Sequence, residues 1–240
     1  MQDLTYDLHI HSCLSPCGDN DSTPGNIAGM AAVKGLDVVA LTDHNTSRNC
    51  PAFLAAAEAY GVLAIPGMEL TTEEEVHAVC LFPELKAALD FDSYVYDKLM
   101  KFPNKPAIFG DQLIYGLNDT VIDTEPNLLI NACSISFDDV YSLVESYGGV
   151  MFPAHIDKDT TSLLSNLGFI PPYSEFKTAE VKDLSKLPAL KEAHPYLNNC
   201  MILNDSDAHY LEHIHEPSFT ISVEERSAVG VIEAIRKGLE

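Results

Sequence analysis

Tyr6-Asp7-Leu8-His9-Ile10-His11 is the stretch on which the fold turns. Tyr6, Leu8 and Ile10 alternate with Asp7, His9 and His11, the period-2 pattern of a half-buried strand, so both histidines are expected on one face. Thr23-Pro24 then supplies an N-cap and a first-turn proline for a helix stopping at Gly35. Asp37 to Thr42 is a β-branched run suited to a buried parallel strand. Pro51 opens an Ala-rich helix that Gly61 ends, followed by strands over Val62 to Pro66 and Val76 to Phe82. Further on, Ser136 and Asp139 begin a helix to Tyr147, Gly148-Gly149 leads into the strand Val150 to Pro153, and weaker strands fall at Ala179 to Val181, Cys200 to Leu203 and Phe219 to Ile221. Ser222-x-x-Glu225 reads as a capping box for a last helix ending near Lys237. Strand and helix alternating in this way indicate an α/β chain built of βα units.

The 240 residues carry 14 Lys+Arg against 36 Asp+Glu, a formal charge of −22. With 46% hydrophobic and 21% charged residues, the chain can bury a core and is not disordered. Its length suits one domain, here 1–240, broken by an irregular Pro- and Gly-punctuated insertion or lid at about 101–131. Net charge of this size argues against a groove for duplex nucleic acid, but it does not disfavour a small phosphorylated molecule or a short oligonucleotide end as partner. No apolar run is long enough to span a membrane, and Met1-Gln2-Asp3-Leu4 does not resemble an export signal. Cysteines 13, 17, 50, 80, 133 and 200 are scattered without a framework spacing, which points to reduced thiols and a cytoplasmic location. The oligomeric state is left open.

Chemistry gathers at the strand ends. His9-x-His11 closes the first strand, Thr42-Asp43-His44-Asn45 the second and Glu69 the third; His77, His155 and Asp207-Ala208-His209 follow on later strands. A single histidine in such a place is usually structural. Six of them with Glu69, Asp207 and Asp43 make a ligand set for Zn, Mn or Fe.

In this order the motifs resemble the PHP (polymerase and histidinol phosphatase) domain family, with the stand-alone bacterial metal-dependent phosphoesterases as the nearest likeness. The resemblance runs from residue 7 to about 210. It implies a distorted (β/α)7 TIM-like barrel, two to three divalent metal ions (Zn, Mn or Fe) and phosphate-ester hydrolysis, with metal ions supplying hydroxide at neutral pH. Carried over, His9, His11, Glu69 and Asp207 hold a first metal. Glu69 bridges to a second with His77 and His155, and His44 and His209 hold a third. Where many relatives place a His or Asp five or six residues after the second His, this chain has Pro16 and Cys17, then Asp19. A Cys17 thiolate is the expected ninth ligand, with Asp19 as the alternative. Asp43 is expected to orient a ligand, and Asp207, Asp43 and Glu69 to serve the catalytic step. Arg48 and Lys158, the cations nearest the motifs, are candidates for gripping phosphate.

Two other readings remain at this level. Amidohydrolases also use barrels with an H-x-H strand, but usually with a bridging Lys where this chain has Glu69. A silent metal-binding regulatory module would be expected to have lost ligands, and this chain keeps eight of nine.

Overall fold

The computed structural model describes residues 1–239. Its main sheet runs in the order β10-β1-β2-β3-β4-β7, formed by β1 (Gln2–Ile10), β2 (Val38–Leu41), β3 (Leu63–Thr71), β4 (His77–Leu81), β7 (Val150–Pro153) and β10 (Thr220–Val223). A separate parallel pair joins β8 (Thr178–Glu180) to β9 (Met201–Leu203). The sheet is mixed. β1, β2 and β3 are parallel, whereas β4 is antiparallel to both β3 and β7, and β10 is antiparallel to β1. The architecture is therefore an α/β fold with a curled, half-barrel sheet, which agrees with the distorted barrel implied by the resemblance to that level, while the antiparallel β4 and β10 depart from a (β/α)7 repeat.

Curling is visible in the packing. Leu4, Tyr6, Leu8, Val38, Ile65, Val79, Phe152 and Leu203 share one buried cluster with Val231, Ile232 and Ile235. Those last three belong to α8 (Ala228–Lys237), which plugs one end of the curl. Its N-cap is Ser227, whose side chain accepts from Gly230 N, so the helix begins later than the Ser222 box predicted. On the outside, α1 (Pro24–Lys34) and α2 (Cys50–Tyr60) pack with Ile10, Val39 and Leu41. The opposite flank is covered by α3 (Leu85–Lys98) and α5 (Phe137–Ser146), the first of which the sequence reading passed over.

A break in register decides where the first two histidines point. Leu8 lies in the inner cluster, but Ile10 joins the outer one, and the β1–β2 pairing shifts between Asp7 and Ile10. Such a shift re-aims the side chains that follow it. His9 and His11 thereby project into the open end instead of continuing the outward face of Asp7.

Residues 101–131 form a strap. It contains α4 (Pro106–Phe109) and a hairpin of β5 (Leu113–Tyr115) and β6 (Val121–Thr124). The loop after β2 clasps it. Asn45 Nδ2 donates to the carbonyls of Leu129 and Asn131 at 2.7 and 2.9 Å, and Asn49 Oδ1 accepts from Tyr115 N at 2.8 Å. At the hairpin end, Asp119 accepts from Thr23 Oγ1 and Gly25 N, at the N-terminus of α1. The remaining helices, α6 (Leu163–Leu167) and α7 (Leu187–Ala193), flank the later strands.

Candidate metal centre

The open end of the curl collects the motif residues from strands of both directions. Glu69 belongs to β3, and the antiparallel partner of Thr71 is His77, so the N-terminal end of β4 meets the C-terminal half of β3. β7 runs back again, pairing Pro153 with Ala78, which brings His155 to the same place. His77 thus arrives from the start of its strand, at the front of the run Val76 to Phe82.

Glu69 is the hub. Its two carboxylate oxygens lie within 2.8–3.4 Å of five imidazole nitrogens: His77 Nδ1 at 2.8 Å, His44 Nδ1 at 2.9, His155 Nε2 at 3.1, His9 Nε2 at 3.3 and His11 Nε2 at 3.4. Asp207 Oδ1 adds contacts to His11 Nε2 at 3.3 Å and His9 Nε2 at 3.6 Å. The structure gathers potential ligand atoms in three overlapping groups: His9, His11, Glu69 and Asp207; His44, Glu69 and His77; and His11, His44 and His209. The first matches the set expected for one metal. In the second, His44 stands with Glu69 and His77 where His155 was expected, although His155 reaches Glu69. The third includes His11 and leaves out Cys17, which is exposed on the loop after β1.

Protons alone do not satisfy this arrangement. His9 Nε2 and His11 Nε2 face each other at 3.1 Å, and one carboxylate cannot pair with five rings. His44 Nδ1 and Glu69 Oε2, though 2.9 Å apart, are not aligned for a hydrogen bond, and with His77 Nε2 they are buried without a hydrogen-bond partner. Divalent cations among these atoms fit the donor set, since imidazole and carboxylate suit Zn, Mn and Fe.

The outer nitrogens are spoken for, which turns the inner ones inward. His9 Nδ1 donates to Glu180 Oε2 at 2.8 Å, and His11 Nδ1 donates to Ser15 Oγ at 2.9 Å. Ser15 Oγ in turn donates to Asp43 Oδ1 at 2.7 Å, while Asp43 also accepts from Ser12 N and Ser12 Oγ. Each chain leaves an Nε2 lone pair facing Glu69 and Asp207. Asp43 therefore touches no inner ring atom and acts through Ser15. Sequence reasoning missed Glu180 and Ser15. The signal for Glu180 was a lone carboxylate in an otherwise apolar strand, Ala179-Glu180-Val181.

Electrostatics agree with this division. Burial would raise the Glu69 carboxyl, but His77, His9 and His44 hold it well below the usual range. Burial is likewise outweighed at Asp207 by His9 and His11, and its carboxyl too is lowered. Burial and neighbouring rings keep His11 and His44 below the usual imidazole range, hence neutral and able to donate lone pairs. His9 goes the other way: burial opposes charge, but Glu180, Glu69 and Asp207 raise it well above the ordinary value. His155 and Asp207 sit at φ of 30° and 49°, strained backbone of the kind that clusters at functional sites.

The two cations separate. Lys158 Nζ lies 2.5 Å from Asp207 Oδ2, at the rim of the cluster. Arg48 instead pairs with Glu125 of the strap and stacks over Tyr96 at 4.4 Å, so the structure commits it to holding residues 101–131.

A model of the PHP domain matches residues 7–161 of the chain. The chain belongs to the PHP domain family. Among curated proteins it is 36% identical over 95 residues to an uncharacterized protein of Methanocaldococcus jannaschii, covering 36% of this chain and 56% of that one. It is 32% identical over 101 residues to a 5'-3' exoribonuclease of Haemophilus influenzae, covering 39% and 36%. The chain thus aligns with about half or less of the length of these relatives. Among solved structures, endonuclease Q of Pyrococcus furiosus, a lesion-specific endonuclease, superposes over 98% of this chain and 56% of its own at a TM-score of 0.67 and 19% identity. An endonuclease Q complex with a 27-mer duplex carrying an abasic lesion gives 0.65 and 18%, over 98% and 57%. A Bifidobacterium adolescentis protein proposed to be a metal-dependent phosphoesterase gives 0.54 and 17%, over 98% and 96%.

The duplex complex overturns one expectation. A chain of this fold holds duplex DNA at its active site, so −22 does not exclude duplex nucleic acid, nor does it single out a small phosphorylated partner. The physical reason is that net charge is not local field. Lys158 meets Asp207, Lys182 Nζ donates to the carbonyls of Asp205 and Ser206, and Lys186 Nζ donates to that of Asp157. Cations thus stand among the carboxylates beside the cluster, Lys158 on Asp207 and Lys186 near Asp157. No helix among the described residues is long and apolar enough to cross a membrane.

Proposed function

We propose that this chain is a metal-dependent phosphoesterase that cleaves phosphodiester bonds of nucleic acid. The observation that carries the reading is the cluster around Glu69, whose carboxylate meets five histidines and which, with Asp207 and His209, offers three overlapping groups of ligand atoms. His9, His11, Glu69 and Asp207 would hold one ion, Glu69 with His77 and His155 a second, and His44 and His209 a third, making a trinuclear centre in which each imidazole gives its one lone pair to a single ion. Zn, Mn or Fe bound there would supply a nucleophile from water at neutral pH and neutralise charge on the phosphate oxygens.

The chain's own residues supply the rest. Glu180 and Ser15 fix the rotation and tautomers of His9 and His11, so no reorganisation is needed as charge develops. Lys158 reaches the rim and offers an ammonium to a non-bridging phosphate oxygen, exchanging its contact with Asp207. Asp207, held as a carboxylate, would serve the step by binding metal and by receiving the Lys158 ammonium, and water would supply the proton of the departing oxygen. His209 is the most exposed ring of the cluster, its side chain 23% accessible, so substrate enters from that side. The family likeness to a named exoribonuclease and the fold likeness to an endonuclease support nucleic acid as the substrate class.

In this reading the chain works as one PHP unit with residues 101–131 as its fixed strap. Six free thiols, five of them buried, support a cytoplasmic location. The test is a panel of end-labelled DNA and RNA oligonucleotides, single-stranded, duplex and with an abasic site, incubated with Mn, Fe or Zn and with a chelator control. Metal-dependent cleavage of at least one is expected. Hydrolysis confined to phosphorylated metabolites, with every oligonucleotide intact, would contradict the proposal.

A further inference from the structure

A groove of about 530 Å³ opens beside the most accessible corner of the cluster. It is lined by Cys17, Asp19 and Asp21 from the loop after β1, Ile108 and Phe109 from α4 of the strap, and Tyr210, the residue after His209. Two backbone contacts build it. Cys17 N donates to the carbonyl of Phe109 at 2.8 Å, joining loop to strap, and Asp19 N donates to the carbonyl of His209 at 3.0 Å, joining loop to the cluster. At Gly18 an added Cβ would lie 2.4 Å from the carbonyl oxygen of Ser12, so the loop's path depends on glycine there. The groove is thus a fixed seam that begins one residue from a candidate metal ligand.

Its chemistry is divided. Ile108 and Tyr210 are 66% and 42% exposed, an aliphatic and an aromatic surface left open to solvent. Asp19 and Asp21 add carboxylates, with no cation among the lining residues. Asp19 Oδ1 accepts from Asp21 N at 2.8 Å, which holds the turn. An aromatic and an aliphatic surface together take a base by stacking, which is tolerant of base identity. Carboxylates accept from sugar hydroxyls and amino groups and repel phosphate.

We infer that this groove holds the terminal nucleoside of the strand whose phosphodiester is cleaved at the cluster: a base and sugar with no further phosphate beyond them. The inference rests on the phosphoesterase reading and extends it to cleavage at chain ends. Phosphate lies against His209 and Lys158, the base lies against Tyr210 and Ile108, and a second phosphate on the outer hydroxyl meets Asp19 and Asp21.

The test uses the full-length metal-loaded protein with dinucleoside monophosphates, TpT and UpU, each also phosphorylated at its outer 5' or outer 3' hydroxyl. Bis-p-nitrophenyl phosphate, which has no nucleoside, reports on phosphoester hydrolysis alone. One of the two phosphorylated forms is expected to lose about tenfold or more in kcat/KM relative to the unphosphorylated dinucleotide. The double variant Asp19→Asn/Asp21→Asn, which keeps the turn's acceptor, should recover most of that loss. Tyr210→Ala and Ile108→Ala, both surface changes, should each raise KM for the dinucleotide by about fivefold or more relative to its change for bis-p-nitrophenyl phosphate. The TpT and UpU arms tell deoxyribose from ribose, and preference for either supports the inference. Equal turnover of phosphorylated and unphosphorylated dinucleotides overturns it, as does hydrolysis of bis-p-nitrophenyl phosphate with neither dinucleotide cleaved. If no phosphate ester is hydrolysed, the phosphoesterase reading itself has failed and the groove assignment falls with it.

Discussion

The Nδ1 of His9 lies 2.8 Å from Oε2 of Glu180, a residue 171 positions later in the chain. The same carboxylate oxygen accepts from His155 N at 3.2 Å. One side chain of β8 therefore orients a ring on β1 and the loop that carries a second. Glu180→Gln keeps the shape but weakens the hold on the His9 tautomer. Metal affinity is expected to fall about 10–100-fold, as for other carboxylates behind a ligating histidine. Titration with Zn or Mn under a competing chelator measures it, and an unchanged affinity would remove Glu180 from the account.

The unpaired buried atoms of the centre make the folded chain a better cation binder than the unfolded one. Saturating divalent metal, at about 100 times its Kd, should stabilise the fold by about 2.7 kcal/mol and raise Tm by about 5–10 °C. Scanning calorimetry of chelated and reconstituted protein shows this directly. A Tm indifferent to metal contradicts the cluster as a cation site.

Arg48 is assigned to the strap. Its partner Glu125 is 1% exposed at the side chain, so Arg48→Ala leaves a buried carboxylate uncompensated. A loss of about 3 kcal/mol is expected, with faster proteolysis within 101–131. Arg48→Ala/Glu125→Gln should recover part of it, by removing the stranded charge. If Arg48→Ala instead spares stability and raises KM, the arginine belongs with the substrate.

Glu74 accepts from Phe137 N at 2.9 Å and Ser136 Oγ at 2.8 Å and so caps α5. Burial is the largest single influence and opposes its charge, but bonds from Thr72, Phe137 and Ser136 together hold the carboxyl below its usual value. A carboxyl lowered on folding stabilises above its unfolded pKa, and that stability drains away as pH falls through the folded value. Wild type should therefore lose more stability than Glu74→Gln between neutral pH and pH 4 and below. At neutral pH the difference is about 1 kcal/mol or less, because the side chain is largely solvated. Parallel urea melts across pH would reveal it, and identical profiles would deny the cap.

Much of the site was legible because its ligands are rare residue types in ordered motifs at strand ends. Sequence could not show the supporting contacts, which are long-range. Glu180 reaches His9 only because β8 curls round to β1. Ser15 lies near its His11 in sequence, but its role depends on Asp43 arriving from β2. The fold was legible to the level of α/β. Alternating apolar runs do not encode strand direction, so the antiparallel placement of β4, which brings His77 to the centre, escaped notice. Nor does a summed charge reveal that Lys158 sits on Asp207, with Lys182 against the backbone of Asp205 and Ser206.

The central claim is that cations held around Glu69 perform phosphoester hydrolysis. Metal content per chain and turnover of bis-p-nitrophenyl phosphate, measured together on wild type and Glu69→Gln after reconstitution with Mn, Fe or Zn, test it most directly. The account predicts two to three bound ions and turnover in wild type, with at least one ion and at least about 100-fold in kcat lost in the variant, as a bridging ligand requires. Full metal loading of wild type without hydrolysis, or undiminished turnover in Glu69→Gln, would contradict it.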